Sequence, residues 1–294
     1  EYSGEVREGD FRDEDYLETV FDGVDAVCNA MAWTSLWGHR KESEELYLYP
    51  TIELIDKLIE KGVSRYINVS STSAASPERS SDAMSVGITR KYWPHLCNVV
   101  DIENYMRANA GSNIAMINMR LGLFAGEHYA LGLLPILLPR LKTHLVPWVA
   151  SGKTSLPIID GEDIGEALKC AAVADGLSGY QSFNIVGRSV PTVRQVIEYI
   201  HEKFAYPKPH FSVPFFVAYP FAWLMEMIDP VVPWEPLVTR SIIHLLEEVS
   251  VDNGRAAEML GYQPKHDWQH AVSKQILEMQ RAQDKPMSMA RPIV

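Results

Sequence analysis

Basic charge, cysteine, clustered glycine and long apolar runs are all scarce in this sequence, and each shortage removes a class of function. Lysine and arginine number 27 against 38 aspartates and glutamates, a net charge of −11. That balance leaves no basic stripe for phosphate backbones and makes nucleic acid and anionic membrane surfaces poor partners. The three cysteines, Cys28, Cys97 and Cys170, stand far apart with no CxxC, which excludes a disulfide framework or a zinc knuckle. Each sits in an apolar stretch, so buried free thiols in a reducing, cytoplasmic compartment are expected. No signal peptide is visible. The most apolar stretch, 213–225, is interrupted by Pro214 and Pro220 and followed by Glu226 and Asp229, too short and broken to span a bilayer. No fixed-period repeat suggests a solenoid.

Motifs for several chemistries are missing too. There is no HExxH and no GxSxG, and His201-Glu202 lacks a second histidine at metal-binding spacing. Ser151-Gly-Lys-Thr154 ends like a phosphate-binding loop, but Pro147 stands where that loop needs glycine. None of the eighteen glycines forms GxGxxG, so the chain has no glycine-rich turn to seat a pyrophosphate on a helix N-terminus. Asn68-Val-Ser70 is a formal glycosylation sequon inside an expected buried strand, and chance accounts for it.

What is present is an α/β rhythm. Residues 65–73 form an apolar, β-branched run that ends in hydroxyls, which reads as a buried strand with a site at its carboxyl end. Strands are expected at 4–11, 25–29, 114–120 and 181–186. Helices are expected at 13–21, 44–60, 96–110, 163–174, 193–204, 239–248 and 253–260, several with Gly or acidic end signals. A loop is expected over 76–94. The aromatic, proline-punctuated stretch 211–234 is read first as core or interface packing by Phe215, Phe216, Tyr219, Phe221 and Trp223, with a substrate-covering or lipid-touching helix as alternatives.

The order of Gly9-Asp-Phe-Arg-Asp13, Gly23-Val-Asp-Ala-Val27, Val69-Ser-Ser-Thr72, Ile117-Asn-Met-Arg120, the 158–167 segment with Asp163, Phe183-Asn-Ile-Val-Gly187 and Leu260-Gly-Tyr-Gln-Pro264 resembles the extended short-chain dehydrogenase/reductase superfamily. Within it, the chain is most similar to the NAD-dependent epimerase/dehydratase and 3β-hydroxysteroid dehydrogenase branch. The resemblance implies a Rossmann-like, doubly wound parallel sheet over 1–121 and a smaller mixed substrate lobe over 122–294 that shares elements with it. It implies NAD or NADP as cofactor. Asp10 and Phe11 would flank the adenine, Asn29, Ala30, Met31 and Ala32 would line the ribose and phosphate side, and Ser70 would join the cofactor-binding set. Thr72 would hydrogen-bond the reacting oxygen. The family pattern also places a glycine-rich strand-turn-helix and a second strand ahead of the point where this chain starts.

The catalytic pair departs from that pattern. The family carries Tyr-x-x-x-Lys, with a glutamate eight residues after the tyrosine and an arginine seventeen after that. Glu103 and Arg120 keep this spacing, which puts His95 at the tyrosine position and Val99 at the lysine position. Valine cannot lower a neighbour's pKa or hold a ribose, whereas histidine titrates near neutrality unaided. Tyr199-Ile-His-Glu-Lys203 matches the spacing on a late amphipathic helix and is read as coincidence. The expectation is an NAD(P)-linked oxidoreductase or epimerase-like protein with Thr72 and His95 as an altered acid/base site, acting on a small alcohol, sugar-nucleotide or sterol-like substrate. The alternative is a pseudoenzyme, a cofactor-sensing or partner-binding scaffold without hydride transfer. A homodimer is compatible with both.

Overall fold

A computed structural model of the chain describes residues 4–284 apart from 32, 76, 112, 129–131, 230–235 and 237. Ala32, expected to line a cofactor, therefore lies outside the described residues, as does part of the 211–234 stretch. Asp13 accepts the amide of Asp15 and starts α1 (Glu14–Thr19), whose first turn is acidic, as a helix N-terminus favours. Strand β1 (Ala26–Asn29) follows. Then α2 (Arg40–Ser43) passes through a π-turn at Glu44–Leu48 into α3 (Tyr49–Glu60). The inner face of α3 carries Leu54, Ile55 and Leu58, all buried, and each truncation to alanine there would cost about 2–5 kcal/mol.

Strand β2 (Arg65–Ser71) ends in a 3-10 turn at Thr72–Ala74. A long loop with one short turn at Pro77–Arg79 leads to α4 (Pro94–Asn109) and β3 (Ala115–Leu121). The chain then leaves the sheet through β4 (Leu123–Ala125), α5 (Leu133–Lys142) and β5 (Trp148–Val149). It returns through β6 (Ile158–Asp160), α6 (Gly161–Val173) and β7 (Tyr180–Ile185). Next come α7 (Val193–Phe204), β8 (Ser212–Val213), α8 (Phe215–Ile228), α9 (Arg240–His244), α10 (Gly254–Leu260) and α11 (Trp268–Asp284).

The main sheet is parallel throughout, in the order β1-β2-β3-β7. Both its faces are covered, which is why β2 and β3 read as continuous apolar runs rather than as alternating ones. Tyr66 and Met116 turn to one side and pack with α3 and α4; Ile67 and Ile117 turn to the other and pack with α6 and α10. Beyond the sheet, α5, α7 and α11 enclose a separate apolar cluster that contains Leu138, Trp148, Ile197 and Ile276.

Through the sheet runs a polar ladder. Asn29, Asn68, Asn118 and Ser182 occupy one register row. Asn29 donates to the Tyr66 hydroxyl, which donates to Asn68; Asn68 donates to Asn118 at 3.1 Å, and Asn118 to Glu103 at 2.9 Å. Glu103 of α4 is ion-paired with Arg120 of β3 at 2.5 Å, the two side chains 1% and 0% exposed. Asn68 is itself 1% exposed, which keeps the sequon on this strand inside the sheet.

Four sequence expectations need correction. Residues 4–10 form no strand; no neighbouring strand takes their amides and carbonyls, and the segment is held by Arg7 on the carbonyls of Val20 and Asp22 and by the Tyr16 hydroxyl on the Arg7 carbonyl. The 239–248 helix is confined to Arg240–His244. Cys28 is exposed on the sheet's edge strand and Cys97 and Cys170 are partly exposed, although all three are free. Phe215 and Tyr219 do pack inward, but Phe216, Phe221 and Trp223 are exposed, so of core or interface packing only an interface is open to them. Helix α11 was not anticipated, though Ala271, Val272, Gln275 and Ile276 carry its buried face at helical spacing. Among the described residues, no helix is long and apolar enough to cross a membrane.

Removing one member of the buried pair should be far worse than removing both. Glu103→Ala is expected to destabilise the chain by about 3–5 kcal/mol, because Arg120 is left buried and unpaired. Adding Arg120→Met should recover much of that loss in urea unfolding.

Candidate active site

The carboxyl end of β2 is bent sharply by its own hydroxyls. The Ser71 side chain accepts the Ser73 amide at 3.1 Å, which curls the backbone into the 3-10 turn and leaves Thr72 on the wall of a small cavity of about 20 Å³. Opposite Thr72 stand Leu123, Pro157, His244 and Glu247. The last two come from α9 and the turn after it, an element remote in sequence. His244 reaches the Ser73 carbonyl with Nε2 at 3.0 Å and Glu247 with Nδ1 at 3.1 Å. Glu247 also accepts the Tyr219 hydroxyl at 2.6 Å and lies 3.5 Å from Arg90. Burial works against its charge, but His244, Tyr219 and Arg90 together hold its carboxyl below the usual range. Tyr219 is pushed up, by burial and by the carboxylate it donates to, and it meets the Tyr92 ring edge-on at 6.3 Å. Sequence reasoning missed this cluster because its members are spread from Arg90 to Glu247 and match no local motif.

The expected site residues divide. Thr72 lines the cavity. His95, in the first turn of α4, does not, and no hydrogen bond joins it to Thr72. It sits between Trp33 and Tyr47, ring centroids 6.3 and 5.1 Å away, and the π-turn in front of α3 is what carries Tyr47. Burial lowers the pKa of His95 to about 4, so at neutral pH the ring is uncharged. Its Nδ1 is buried with no hydrogen-bond partner. Val99, one turn further, belongs to the apolar core.

On the β1 side, Asn29 Oδ1 accepts the Met31 amide at 3.0 Å, and Ala30 is exposed. Asp10 is exposed and bound to Arg12 through the guanidinium and the amide, with its carboxyl lowered to about 2 chiefly by the Arg12 side chain. Phe11 packs at the edge of the core against Tyr16, centroids 5.7 Å apart. Ser70 turns inward and donates to Glu103 at 2.6 Å, so its hydroxyl is committed to the ladder. Tyr199 and Lys203 lie on α7, joined to each other and to Ser273 and packed on Trp268; their spacing serves packing. No group of three or more His, Cys, Asp or Glu among the described residues could hold a metal.

The model of the NAD dependent epimerase/dehydratase family matches residues 2–185. The chain belongs to that family. In solved structures the same fold recurs at low identity. A structure named gox2253 superposes with a TM-score of 0.70 at 18% identity, covering 93% of this chain and 84% of that one. The Bordetella bronchiseptica enzyme WbmG in complex with NAD and UDP gives 0.66 at 16%, covering 94% and 80%. UDP-glucuronic acid 4-epimerase from Bacillus cereus in complex with NAD gives 0.67 at 13%, covering 93% and 80%. No curated protein sequence matches the chain. For this member of the epimerase/dehydratase family, the fold is the parallel Rossmann-like sheet that the sequence implied.

The buried histidine makes a pH prediction. Its folded-state pKa lies below the value near 6.5 of an unfolded chain, so unfolding takes up a proton between those values. His95 should therefore contribute a loss of stability, up to about 3 kcal/mol, as pH falls from about 6.5 toward about 4. In His95→Phe this part of the pH dependence should vanish from urea unfolding curves.

Proposed function

We propose that the chain is an NAD(P)-linked oxidoreductase or epimerase-type protein whose acid/base chemistry has moved from the usual Tyr-Lys pair to the cavity beside Thr72. The observation that carries this reading is the cavity wall itself, where one hydroxyl from the sheet edge faces a His-Glu pair supplied by the carboxyl-terminal part of the chain. Membership of the epimerase/dehydratase family and the NAD complexes among its structural neighbours support the cofactor.

The residues at hand fit a dinucleotide in part. Exposed Ala30 leaves room for a flat ligand at the carboxyl end of β1, and the Asn29 side chain is held still by Met31 and Tyr66. The orphaned Nδ1 of His95, beside Trp33 of the loop that follows, offers a hydrogen bond to a ligand lying there. Against this, Val99 places an isopropyl group where an amine would hold a ribose. A bound NAD(P) would accept or return a hydride. The protein's own groups do the rest: Thr72 orients a substrate hydroxyl or carbonyl, Leu123 and Pro157 exclude water, and His244 with Glu247 holds and moves a proton at the cavity wall. His95, uncharged at neutral pH, positions rather than protonates. Of the structures noted above, WbmG is in complex with NAD and UDP and another is named as a UDP-glucuronic acid 4-epimerase, and a sugar-nucleotide is the substrate class we favour here.

Burial of Val99 in the core favours a second reading, a scaffold that binds nucleotide without hydride transfer. The two separate in one experiment on the protein expressed from its whole coding sequence. Fluorescence titration with NADH and NADPH should give saturable binding; no binding would defeat both readings. In turnover assays with sugar-nucleotides, Glu247→Gln and Thr72→Val should each lower kcat about a hundredfold, while His95→Phe should change it by less than about tenfold. Binding without turnover of any candidate substrate would leave the scaffold standing.

A further inference from the structure

Helix α8 turns most of its bulk outward. Its inward face carries Ala218, Ala222 and Glu226, with Phe215 and Tyr219 partly buried beside them and Glu226 buried and ion-paired to Arg240 at 2.7 Å. Its outward face carries the bulk: Phe216, 78% exposed, then Phe221, Trp223, Leu224 and Met227, the last 60% exposed. A surface helix of a globular protein shows the reverse arrangement, and a contiguous exposed apolar face of this kind marks an interaction surface.

The surroundings say what covers it. Although the chain is strongly acidic overall, residues 128–159 and 203–225 contain no aspartate or glutamate. The two segments meet where β5 pairs with β8, directly before α8. Their charges are basic: Lys142, over the Tyr206 ring at 5.3 Å, with Lys153 and Lys208, all three exposed and in no ion pair among the described residues. His144 and His210 stack nearby with centroids 6.2 Å apart, flanked by exposed Leu145 and Phe211. The charge average that argues against anionic surfaces thus hides a local separation: an apolar helix with a tryptophan on its face and a cationic rim at its amino-terminal end. Two copies meeting through this face would set rim against rim, lysine against lysine. Anionic lipid satisfies both parts at once, since headgroups pair with the rim while the aromatic and aliphatic side chains enter the acyl boundary.

We propose that α8 and its basic rim dock this protein reversibly on anionic membrane surfaces. The proposal is independent of the chemistry assigned to the Thr72 cavity. The test is co-sedimentation of the chain with vesicles of phosphatidylcholine alone or mixed equally with phosphatidylglycerol. Binding should be about tenfold tighter to the anionic vesicles and should weaken with salt. Phe216→Glu with Met227→Glu, both on exposed positions and checked by circular dichroism, should lower binding at least about tenfold, and Lys142→Glu with Lys208→Glu should erase the preference between the two lipids. A wild-type chain that stays in the supernatant with both vesicle types overturns the proposal. So does sedimentation velocity that finds a dimer converted to monomer by Phe216→Glu with Met227→Glu, because a second copy would then be what covers the face.

Discussion

The Glu103–Arg120 pair is the interaction on which the rest of this structure hangs. A carboxylate and a guanidinium removed from water are costly unless their remaining valences find partners, and here most of the partners are drawn from several elements: Ser70 of β2 and Asn118 of β3 both donate to Glu103, and Arg120 also donates to the Ser85 carbonyl, its Nη1 alone lacking a hydrogen bond. From Asn118 the same network continues to Asn68, Tyr66 and Asn29. A parallel sheet covered on both faces has little in its apolar pattern to fix register, since a slip moves one large aliphatic side chain into the place of another. A row of amides cannot slip without stranding donors and acceptors in the core. The ladder therefore fixes which residues end each strand together, and with that the composition of the sheet's carboxyl edge.

That edge is completed from far along the chain. Thr72 and Ser73 come from the end of β2, while His244, Glu247 and Tyr219 arrive from beyond residue 210. The joint is the hydrogen bond between His244 Nε2 and the Ser73 carbonyl, backed by Ser241 Oγ donating to the Leu36 carbonyl. Because the backbone at Ser73 is already fixed by the Ser71 hydroxyl, the cavity wall inherits its shape from the strand end. Its chemistry comes from the later segment.

Much of the sheet half was legible in the sequence, because β2, β3 and the helices between them carry their own periodicities and end signals. Ser70 was misleading: a hydroxyl near a strand end reads as ligand-facing, but strand alternation turns it to the core, where Glu103 claims it. His95 was found by counting back from Glu103 and Arg120, yet counting cannot supply the Trp33 and Tyr47 rings that bury it and strip it of charge. The His244–Glu247 pair was invisible for a plainer reason. No local pattern relates it to Thr72, and the contact exists only once the chain has folded back. Residues 4–10 failed in the opposite sense, carrying the pattern of a strand while lacking a neighbouring ladder, and a strand is a property of a pair.

Helix α8 joins the two functional regions physically. Tyr219, on its inner side, donates to Glu247 at the cavity wall, and Glu226, two turns further along the same side, holds Arg240 at the start of α9, which His244 ends. Phe216 and Trp223 look outward from the same rigid rod. A helix that traded its outward bulk for charge would still fold onto Ala218 and Ala222, because the inner face supplies the packing. The outward residues therefore contribute nothing to the core that would explain them. Their exposure costs solubility without adding stability, and that imbalance is accounted for by a surface that covers them. Through Tyr219 and Arg240, α8 is tied to the two side chains, Glu247 and His244, that line the cavity with Thr72.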